Sequence, residues 1–218
     1  GIVITLTIAD LALVDRKIIE PAKDSYRQST MINKSLKSIY LSEDEVIRFF
    51  KKDTTRYRIL PLGSLANENR WAAFQLESIE GYHPAKMFRY NKVKNEVGWN
   101  SLGVLQMLNV KYVITLDKLS HSAFDLVFSG KLFHQGKFHK ANVYKFKYVH
   151  PRAFFVEELV IIPELNGQLN ALRNQGFNPR KTAIVEQLFP EIQFNLNSKV
   201  TIIKWAPDKI EMQISTST

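Results

Sequence analysis

Three stretches of the chain carry apolar residues at helical spacing, which predicts amphipathic helices over 42–52, 101–109 and 163–176. In the first, Ser42 with Glu45 three residues later matches a capping box, so Ser42 is expected to cap that helix. Ser101 stands in the same place before the second stretch. Gly176 follows the third, where a glycine often caps a helix C-terminus. A further short helix is expected after Pro84, because proline fits the first helical turn.

Runs of β-branched and aromatic residues predict strands at 57–62, 110–116, 124–128, 142–148, 182–188, 199–205 and 210–214. Gly130 and Gly136 are expected to mark turns between two of these strands. The last two strands are separated by Ala206-Pro207-Asp208-Lys209, which suits a type I turn and predicts a hairpin. Helices and strands interleave, so the predicted fold class is α+β, with a mixed sheet, interleaved helices and a final β-hairpin.

The beginning of the chain is unusually apolar. Only three residues of Ile2–Val14 are polar, yet the stretch is shorter than the roughly 20 residues that span a bilayer. Two interpretations fit: a buried strand or helix of a soluble domain, or the last turns of a membrane-spanning helix. Residues 23–41 are polar and predict a loop or linker. We therefore expect a membrane-proximal apolar segment over 1–22 and a single α+β domain over 23–218, as a fragment of a longer chain.

Composition is that of a folded domain. Of the 218 residues, 45% are hydrophobic and 23% are charged, which excludes a disordered chain. The chain has no cysteine, which excludes a disulfide scaffold, a thiol nucleophile and a cysteine-ligated metal site.

Positive charge is concentrated in one segment. The whole chain has a net charge of +9, and residues 81–150 contain 11 basic and only 3 acidic side chains. All five histidines lie there too. A concentrated positive field suits a polyanion such as phospholipid head groups, a phosphate-bearing glycan or nucleic acid. A solvated basic face that only aids solubility fits the same counts.

The histidines and the motifs indicate no catalytic centre. His134 and His139 are five apart, so on one strand they face opposite sides, and five is also the wrong spacing for one helix face. No metal site and no cofactor are therefore expected. Asp117 and Asp125 flank His121, but neighbours in sequence are weak evidence for a triad. HExxH, GxSxG, P-loop and GxGxxG patterns are absent from the sequence, so no catalytic residue is predicted.

The run over 80–90 combines aromatic and basic residues around a Gly-and-Pro bend. Aromatic faces can stack on sugar rings, and Arg or Lys can contact phosphate or hydroxyl groups. A second arginine opens the apolar run over 153–162. The predicted substrate-binding residues are Tyr82, His83, Arg89, Tyr90 and Arg152. The alternative is that Tyr82, Met87 and Phe88 pack in the core and the bases only face solvent.

Four segments carry a resemblance to a known family: Tyr57-Arg58-Ile59-Leu60, then Gly81-Tyr82-His83-Pro84 with Arg89-Tyr90, then Leu105–Thr115, then Pro151-Arg152-Ala153-Phe154. In this order they resemble the YfhO-like family of bacterial multi-pass membrane proteins, over roughly residues 1–212. The opening Leu6–Ile19 resembles the end of that family's last spanning helix.

Members of that family resemble membrane glycosyltransferases that use lipid-linked sugar donors, and some are tied to glycosylation of polymers such as lipoteichoic acid. The resemblance implies that this chain lies outside the cell membrane, on the periplasmic or extracellular side. Its implied partners are the membrane, a cell-envelope glycan or lipid-linked sugar, and anionic lipid head groups. The catalytic acid of such enzymes lies in loops between spanning helices, so this part is expected to be non-catalytic. The family usually continues into a β-rich module with a Gly-Trp signature, which this chain lacks.

Other functional classes compete with this interpretation. A polyanion- or RNA-binding module could use the basic 81–150 segment, although no RNP-type, KH or helix-turn-helix pattern is present and nucleic acid is not the expected partner. A soluble hydrolase could use His121 or His83. A purely structural role beside the membrane part is the remaining alternative.

Overall fold

The computed structural model describes residues 2–19, 34–187, 198–206 and 208–215. The α-helices are α1 (Ile2–Ile19), α2 (Lys34–Tyr40), α3 (Glu45–Lys51), α4 (Phe88–Lys92), α5 (Leu102–Met107) and α6 (Leu165–Arg173). The strands are β1 (Arg58–Pro61), β2 (Val110–Thr115), β3 (Phe124–His134), β4 (Lys137–Phe146), β5 (Glu158–Ile161), β6 (Thr182–Val185), β7 (Lys199–Trp205) and β8 (Ile210–Ser215). Two 3-10 helices, Gly63–Asn67 and Arg70–Phe74, follow β1, and a π-helical turn, Val93–Val97, follows α4. The predicted α+β class is confirmed.

The largest sheet is mixed, as predicted, and has the strand order β1-β2-β4-β3. β1 is parallel to β2, whereas β2, β4 and β3 are antiparallel neighbours. In the register Leu60 lies beside Val113, which in turn pairs with Tyr144. Apolar side chains are buried on both faces of this sheet, because helices cover each face. α3 and the second 3-10 helix cover one face, and α5 lies against the other.

The first core layer joins α3 to the sheet through aromatic rings. Phe50 is fully buried, and its ring packs edge-on against Trp71 with centroids 6.4 Å apart. Tyr112 of β2 lies 5.7 Å from Phe50 on the other side. The cluster as a whole buries Val46, Ile47, Phe50, Tyr57, Ile59, Leu65, Trp71, Phe74, Tyr112, Ile114, Leu132, Ala141 and Val143. The predicted apolar stripe of α3 thus faces this layer.

The cap of α3 differs from the prediction. Asp44, not Ser42, is the N-cap, and its Oδ1 accepts a hydrogen bond from the Ile47 amide at 2.9 Å. Ser42 instead donates from Oγ to the Ile39 carbonyl at the end of α2. Glu45 makes no capping box, because its Oε2 accepts the Lys131 amide from β3. The capping-box expectation was wrong because Ser42 bonds to the preceding helix, Asp44 takes the N-cap position, and β3 binds the Glu45 carboxylate.

A buried ion pair links α3 to the second 3-10 helix. The side chains of Arg70 and Asp44 are 1% and 2% exposed, and Arg70 Nη1 donates to Asp44 Oδ2 at 2.6 Å. The same carboxylate oxygen accepts the Phe133 amide of β3 at 3.1 Å. Arg70 also donates to the carbonyls of Tyr40 and Ser42, at 2.6 Å each. Arg70 therefore joins the second 3-10 helix to residues 40–44, and the Asp44 carboxylate extends this link to β3.

β3 and β4 form a long hairpin with a single tight turn. Gln135 and Gly136 make this turn, with φ of 49° and 81°. Gly130 was expected to mark a turn but lies inside β3, opposite Ala141. A Cβ at Gly130 would come within 2.6 Å of the Phe128 ring, so this glycine serves close packing rather than chain reversal.

The second half of the chain contains a small parallel unit and the final hairpin. β5 pairs in parallel with β6, and α6 connects them. α6 begins at Leu165, and Asn174 is its C-cap residue, with an Oδ1 that accepts the Gly176 amide at 2.8 Å. β7 and β8 pair antiparallel, which confirms the predicted hairpin. Residues 188–197 lie outside the described ranges, so the predicted end of the strand over 182–188 falls partly outside them too.

The apolar opening forms the helix α1, whose described side chains are exposed. Within the described chain these side chains are not buried against the α+β domain, and both interpretations of the apolar opening stay predictions. Within residues 2–19, 34–187, 198–206 and 208–215, no helix combines the length and apolarity needed to cross a bilayer. The predicted linker over 23–41 contains helix α2, and its part over 23–33 lies outside the described residues.

A polar network ties the end of α3 to β2. Lys111 Nζ lies 2.5 Å from Asp53 Oδ2, and the hydroxyls of Tyr112 and Thr55 donate to the same carboxylate. Partial burial opposes ionisation of Asp53, but these hydrogen bonds together hold its pKa below the usual range.

Asp53→Asn is expected to lower the free energy of unfolding by about 1–2 kcal/mol at pH 7. The folded-state pKa of Asp53 is below the unfolded value of about 3.9, so this stability exists above that pH and disappears as the pH falls through the folded value. Urea unfolding at a series of pH values measures the effect. The difference between wild type and variant should shrink towards low pH, whereas Asp117→Asn, at an exposed carboxylate, should change little at any pH. A pH-independent difference would contradict this prediction.

Candidate functional site

An open groove of about 800 Å³ lies between the second 3-10 helix, the segment over 78–87 and α4. Aromatic rings and polar side chains share its wall. We call it the Tyr82 groove and define it by Asn69, Trp71, Glu80, Tyr82, His83, Lys86, Tyr90 and Lys94, among its other lining residues. This mixture of flat apolar surface with a few hydrogen-bonding groups is typical of small-ligand sites.

Hydrogen bonds between side chains and the backbone hold the bend at 81–85. Asn69 Oδ1 accepts the Tyr82 amide at 2.9 Å, and Asn69 Nδ2 donates to the Tyr82 carbonyl at 2.8 Å. Gly81 adopts a φ of 148°, and a Cβ there would lie 2.8 Å from Asn69 Oδ1. His83 Nδ1 accepts the Ala85 amide at 3.1 Å. The bend therefore has one fixed shape, and the Tyr82 ring is 61% exposed at its edge.

Tyr90 forms a rigid part of the wall. Its hydroxyl donates to the Ile79 carbonyl at 2.6 Å, and its ring lies 6.0 Å from Trp99. Burial raises the pKa of Tyr90 to about 12, so the phenol stays protonated and the hydrogen bond persists at neutral pH. Because the hydroxyl donates to the Ile79 carbonyl, the part of Tyr90 that can contact a ligand is its ring.

The two carboxylates of the groove have partners within the protein. Glu80 accepts Lys94 Nζ and Trp99 Nε1, each at 2.5 Å. Glu68 accepts the Tyr40 hydroxyl at 2.6 Å and lies 3.0 Å from His134 Nδ1. Burial of Glu68 opposes its ionisation, but hydrogen bonds from Tyr40 and His134 outweigh it and lower the pKa. Among the described residues that line the groove, Lys86 is a cation with no ion-pair partner.

The predicted binding residues separate into two groups. Tyr82, His83 and Tyr90 meet in the groove. Arg89 instead forms an exposed ion pair with Glu186. Arg152 pairs with Glu77, stacks on Trp205 at 4.9 Å and is not among the residues that line the groove. The structure thus brings three of the five together, and the binding role of all five stays a prediction.

The alternative that Tyr82, Met87 and Phe88 pack in the core is wrong, because all three side chains are exposed. Sequence reasoning also missed Asn69, Trp71 and Lys94 as wall residues. The Gly-and-Pro bend indicates that its backbone needs a hydrogen-bond partner. The sequence around the bend does not identify that partner as Asn69, because Asn69 lies 13 residues before Tyr82.

The placement of His134 and His139 differs from the prediction. His134 and His139 lie on the two strands of one hairpin and face the same side, with ring centroids 5.8 Å apart. The spacing argument failed because a turn, not one continuous strand, separates them. Within the described ranges, no group of three or more His, Cys, Asp or Glu side chains is placed to hold a metal ion. His121 Nδ1 accepts the Ala123 amide and so supports a turn.

The basic segment over 81–150 is only partly neutralised. Lys94, Lys111 and Lys147 pair with acids, as does Lys92. Across the β3–β4 hairpin, Lys131 lies directly opposite Lys140, and both are exposed. In the part of the chain that the structure describes, no ion pair is formed by Lys86, Lys118, Lys131, Lys137, Lys140 or Lys145. Free positive charge is therefore present at the groove and at the hairpin tip.

Comparison with models of protein families, with curated proteins and with solved structures gives no match. The resemblance to the YfhO-like family therefore stays a prediction, and functional inference depends on the geometry of the groove and the surface.

Proposed function

We propose that this chain is a non-catalytic extracytoplasmic domain of a multi-pass membrane glycosyltransferase-like protein. In this proposal it is held at the cell membrane, on the periplasmic or extracellular side. The Tyr82 groove then binds a sugar unit of a cell-envelope glycan or of a lipid-linked donor. The parent protein, not this domain, carries out any transfer reaction.

The groove is the observation that supports this proposal. The rings of Tyr82 and Tyr90 offer flat faces for a pyranose, while the Lys86 ammonium is free to contact a phosphate or hydroxyl. The hydrogen bonds of Asn69 fix the bend in advance, so a ligand does not have to order it. A cavity of about 800 Å³ is large enough for one or two sugar rings.

Tyr82→Ala is expected to weaken binding of a sugar phosphate by about ten-fold, because stacking on an aromatic ring contributes about 1–3 kcal/mol. Isothermal titration with glucose 1-phosphate and with oligomeric poly(glycerol phosphate) measures this. Tyr148→Ala removes a similarly exposed tyrosine outside the groove and should leave the affinity unchanged. Absence of heat with both probes, or equal losses in the two variants, would overturn the assignment of the groove.

A second candidate function is polyanion binding at the β3–β4 hairpin tip. Lys131 and Lys140 face the same side directly across the strands, and Phe138 beside them is exposed. Cations with an adjacent aromatic ring are typical of single-strand nucleic-acid surfaces. A steep dependence of RNA affinity on salt, abolished by Lys131→Glu with Lys140→Glu, would favour this function over the groove.

A further inference from the structure

The segment over 82–89 exposes three large apolar side chains within eight residues. Tyr82, Met87 and Phe88 are 61%, 75% and 65% exposed. Scattered apolar side chains on a surface are ordinary, but three large ones within eight residues of one segment indicate a contact surface. Tyr82 and Met87 also line the groove, so this surface is at the edge of its opening.

The charges around this segment are complementary to an anionic surface. Between 81 and 95 every charged side chain is a cation, and the four are Lys86, Arg89, Lys92 and Lys94. Three of them face acids of the protein: Glu186, Glu96 and Glu80 respectively. Lys86 has no such partner in the described chain, and it directly precedes Met87. Its ammonium is therefore available to a phosphate outside the protein.

Exposed Met and Phe next to a free Lys is the arrangement by which a peripheral segment enters a bilayer interface. Apolar side chains enter the boundary between head groups and acyl chains, while a cation stays among anionic head groups. Tyrosine is enriched at the same depth, because its ring is apolar and its hydroxyl is polar. Exposed apolar side chains beside an unpaired lysine match an apolar layer bordered by anionic groups.

We propose that the segment over 82–89 docks on an anionic phospholipid bilayer, with Met87 and Phe88 in the interface and Lys86 among the head groups. The inference rests on the proposed function, because docking brings the opening of the Tyr82 groove to the head-group layer. The ligand of the groove is then the phosphate-linked sugar of a membrane lipid, which reaches the groove without leaving the bilayer.

The absence of cysteine permits a site-specific test in the full chain. Phe88→Cys and, as a matched control, Phe155→Cys each receive an environment-sensitive fluorophore. Both positions are exposed phenylalanines, and Phe155 lies before β5, outside the groove wall and outside the β3–β4 hairpin. On vesicles of phosphatidylcholine with phosphatidylglycerol, the label at 88 should shift its emission to the blue, and the label at 155 should not. Vesicles of phosphatidylcholine alone should give a weaker shift at 88.

The apolar helix α1 is the same in both labelled variants, so membrane binding through α1 alone gives no shift at either label. That result, or equal shifts at both labels, would overturn the docking proposal. Lys86→Glu in the Phe88→Cys chain should weaken the response to the anionic vesicles about ten-fold, because the charge is reversed near the surface. An unchanged response would contradict the assigned role of Lys86.

The outcomes for docking and for the groove are separable. Phe88 is outside the groove wall, so Phe88→Ser should leave glucose 1-phosphate binding in the absence of vesicles unchanged. In the labelled Phe88→Cys chain, absence of the emission shift together with intact sugar-phosphate binding overturns docking only. An intact shift without sugar-phosphate binding overturns the function proposed for the groove and leaves the membrane contact.

Discussion

Replacing Arg70 by methionine is expected to lower the free energy of unfolding by about 3–5 kcal/mol. The pair with Asp44 is almost completely buried, so the variant leaves a carboxylate in the core without its counter-ion. Two backbone carbonyls that Arg70 now satisfies also lose their donor. Methionine fills most of the volume of the arginine side chain. The decrease in the free energy of unfolding therefore measures lost charge pairing and hydrogen bonding rather than a cavity.

Urea denaturation at pH 7 measures this loss. Arg89→Met is the matched control, because it breaks an arginine–carboxylate pair whose side chains are 63% and 50% exposed. An exposed pair contributes less than about 1 kcal/mol, so the control should be close to wild type. Arg70→Met combined with Asp44→Asn should regain part of the loss, because no unpaired charge remains and the amide oxygen can still cap α3. Equal stabilities of the Arg70 and Arg89 variants would refute the assigned role of the buried pair.

Phe50→Ala is expected to lower the free energy of unfolding by about 3–5 kcal/mol. The ring is fully buried and contacts aromatic rings on three sides: Phe49, Trp71 and Tyr112. Removing it leaves a cavity that these rigid neighbours cannot fill. Phe50 packs on Trp71, and Trp71 lines the groove. Phe50→Ala should therefore weaken ligand binding as well as lower the free energy of unfolding.

The same urea measurement compares Phe50→Ala with Phe88→Ala, which truncates an exposed ring. The exposed variant should stay within about 0.5 kcal/mol of wild type. Phe50→Leu should lose much less than Phe50→Ala, because leucine keeps most of the buried volume. A change in the denaturant slope with no change in the midpoint would indicate an altered unfolded state and would contradict the cavity explanation.

Buried and exposed residues of this molecule therefore determine different properties. The core around Phe50 and the ion pair of Arg70 hold the second 3-10 helix in place, and that helix supplies Trp71 to the groove. The bend over 81–85 is attached to the same region by Asn69. Stability of the core and the shape of the groove are consequently linked. The exposed side chains of Met87 and Phe88, in contrast, can be substituted without affecting the core.

The sequence alone determined the elements whose pattern is local. The apolar spacing predicted α3, α5 and α6, and the β-branched runs predicted β1, β2 and the final hairpin. Ser101 was correctly expected to cap α5, because an N-cap bond joins residues only three apart. The aromatic and basic character of the 80–90 run also predicted three residues that the groove brings together.

Only the tertiary structure decided the partners that come from distant parts of the chain. Asp44 rather than Ser42 caps α3 because Arg70, 26 residues later, holds its carboxylate in place. Position 130 of β3 requires glycine in part because the Glu45 carboxylate, 85 residues earlier, lies where a Cβ would stand. Arg152 was expected at the binding site, but Glu77, 75 residues earlier, holds it elsewhere. Periodicity and capping express short-range sterics and hydrogen bonding, whereas ion pairs, packing and groove walls depend on which segments the fold brings together.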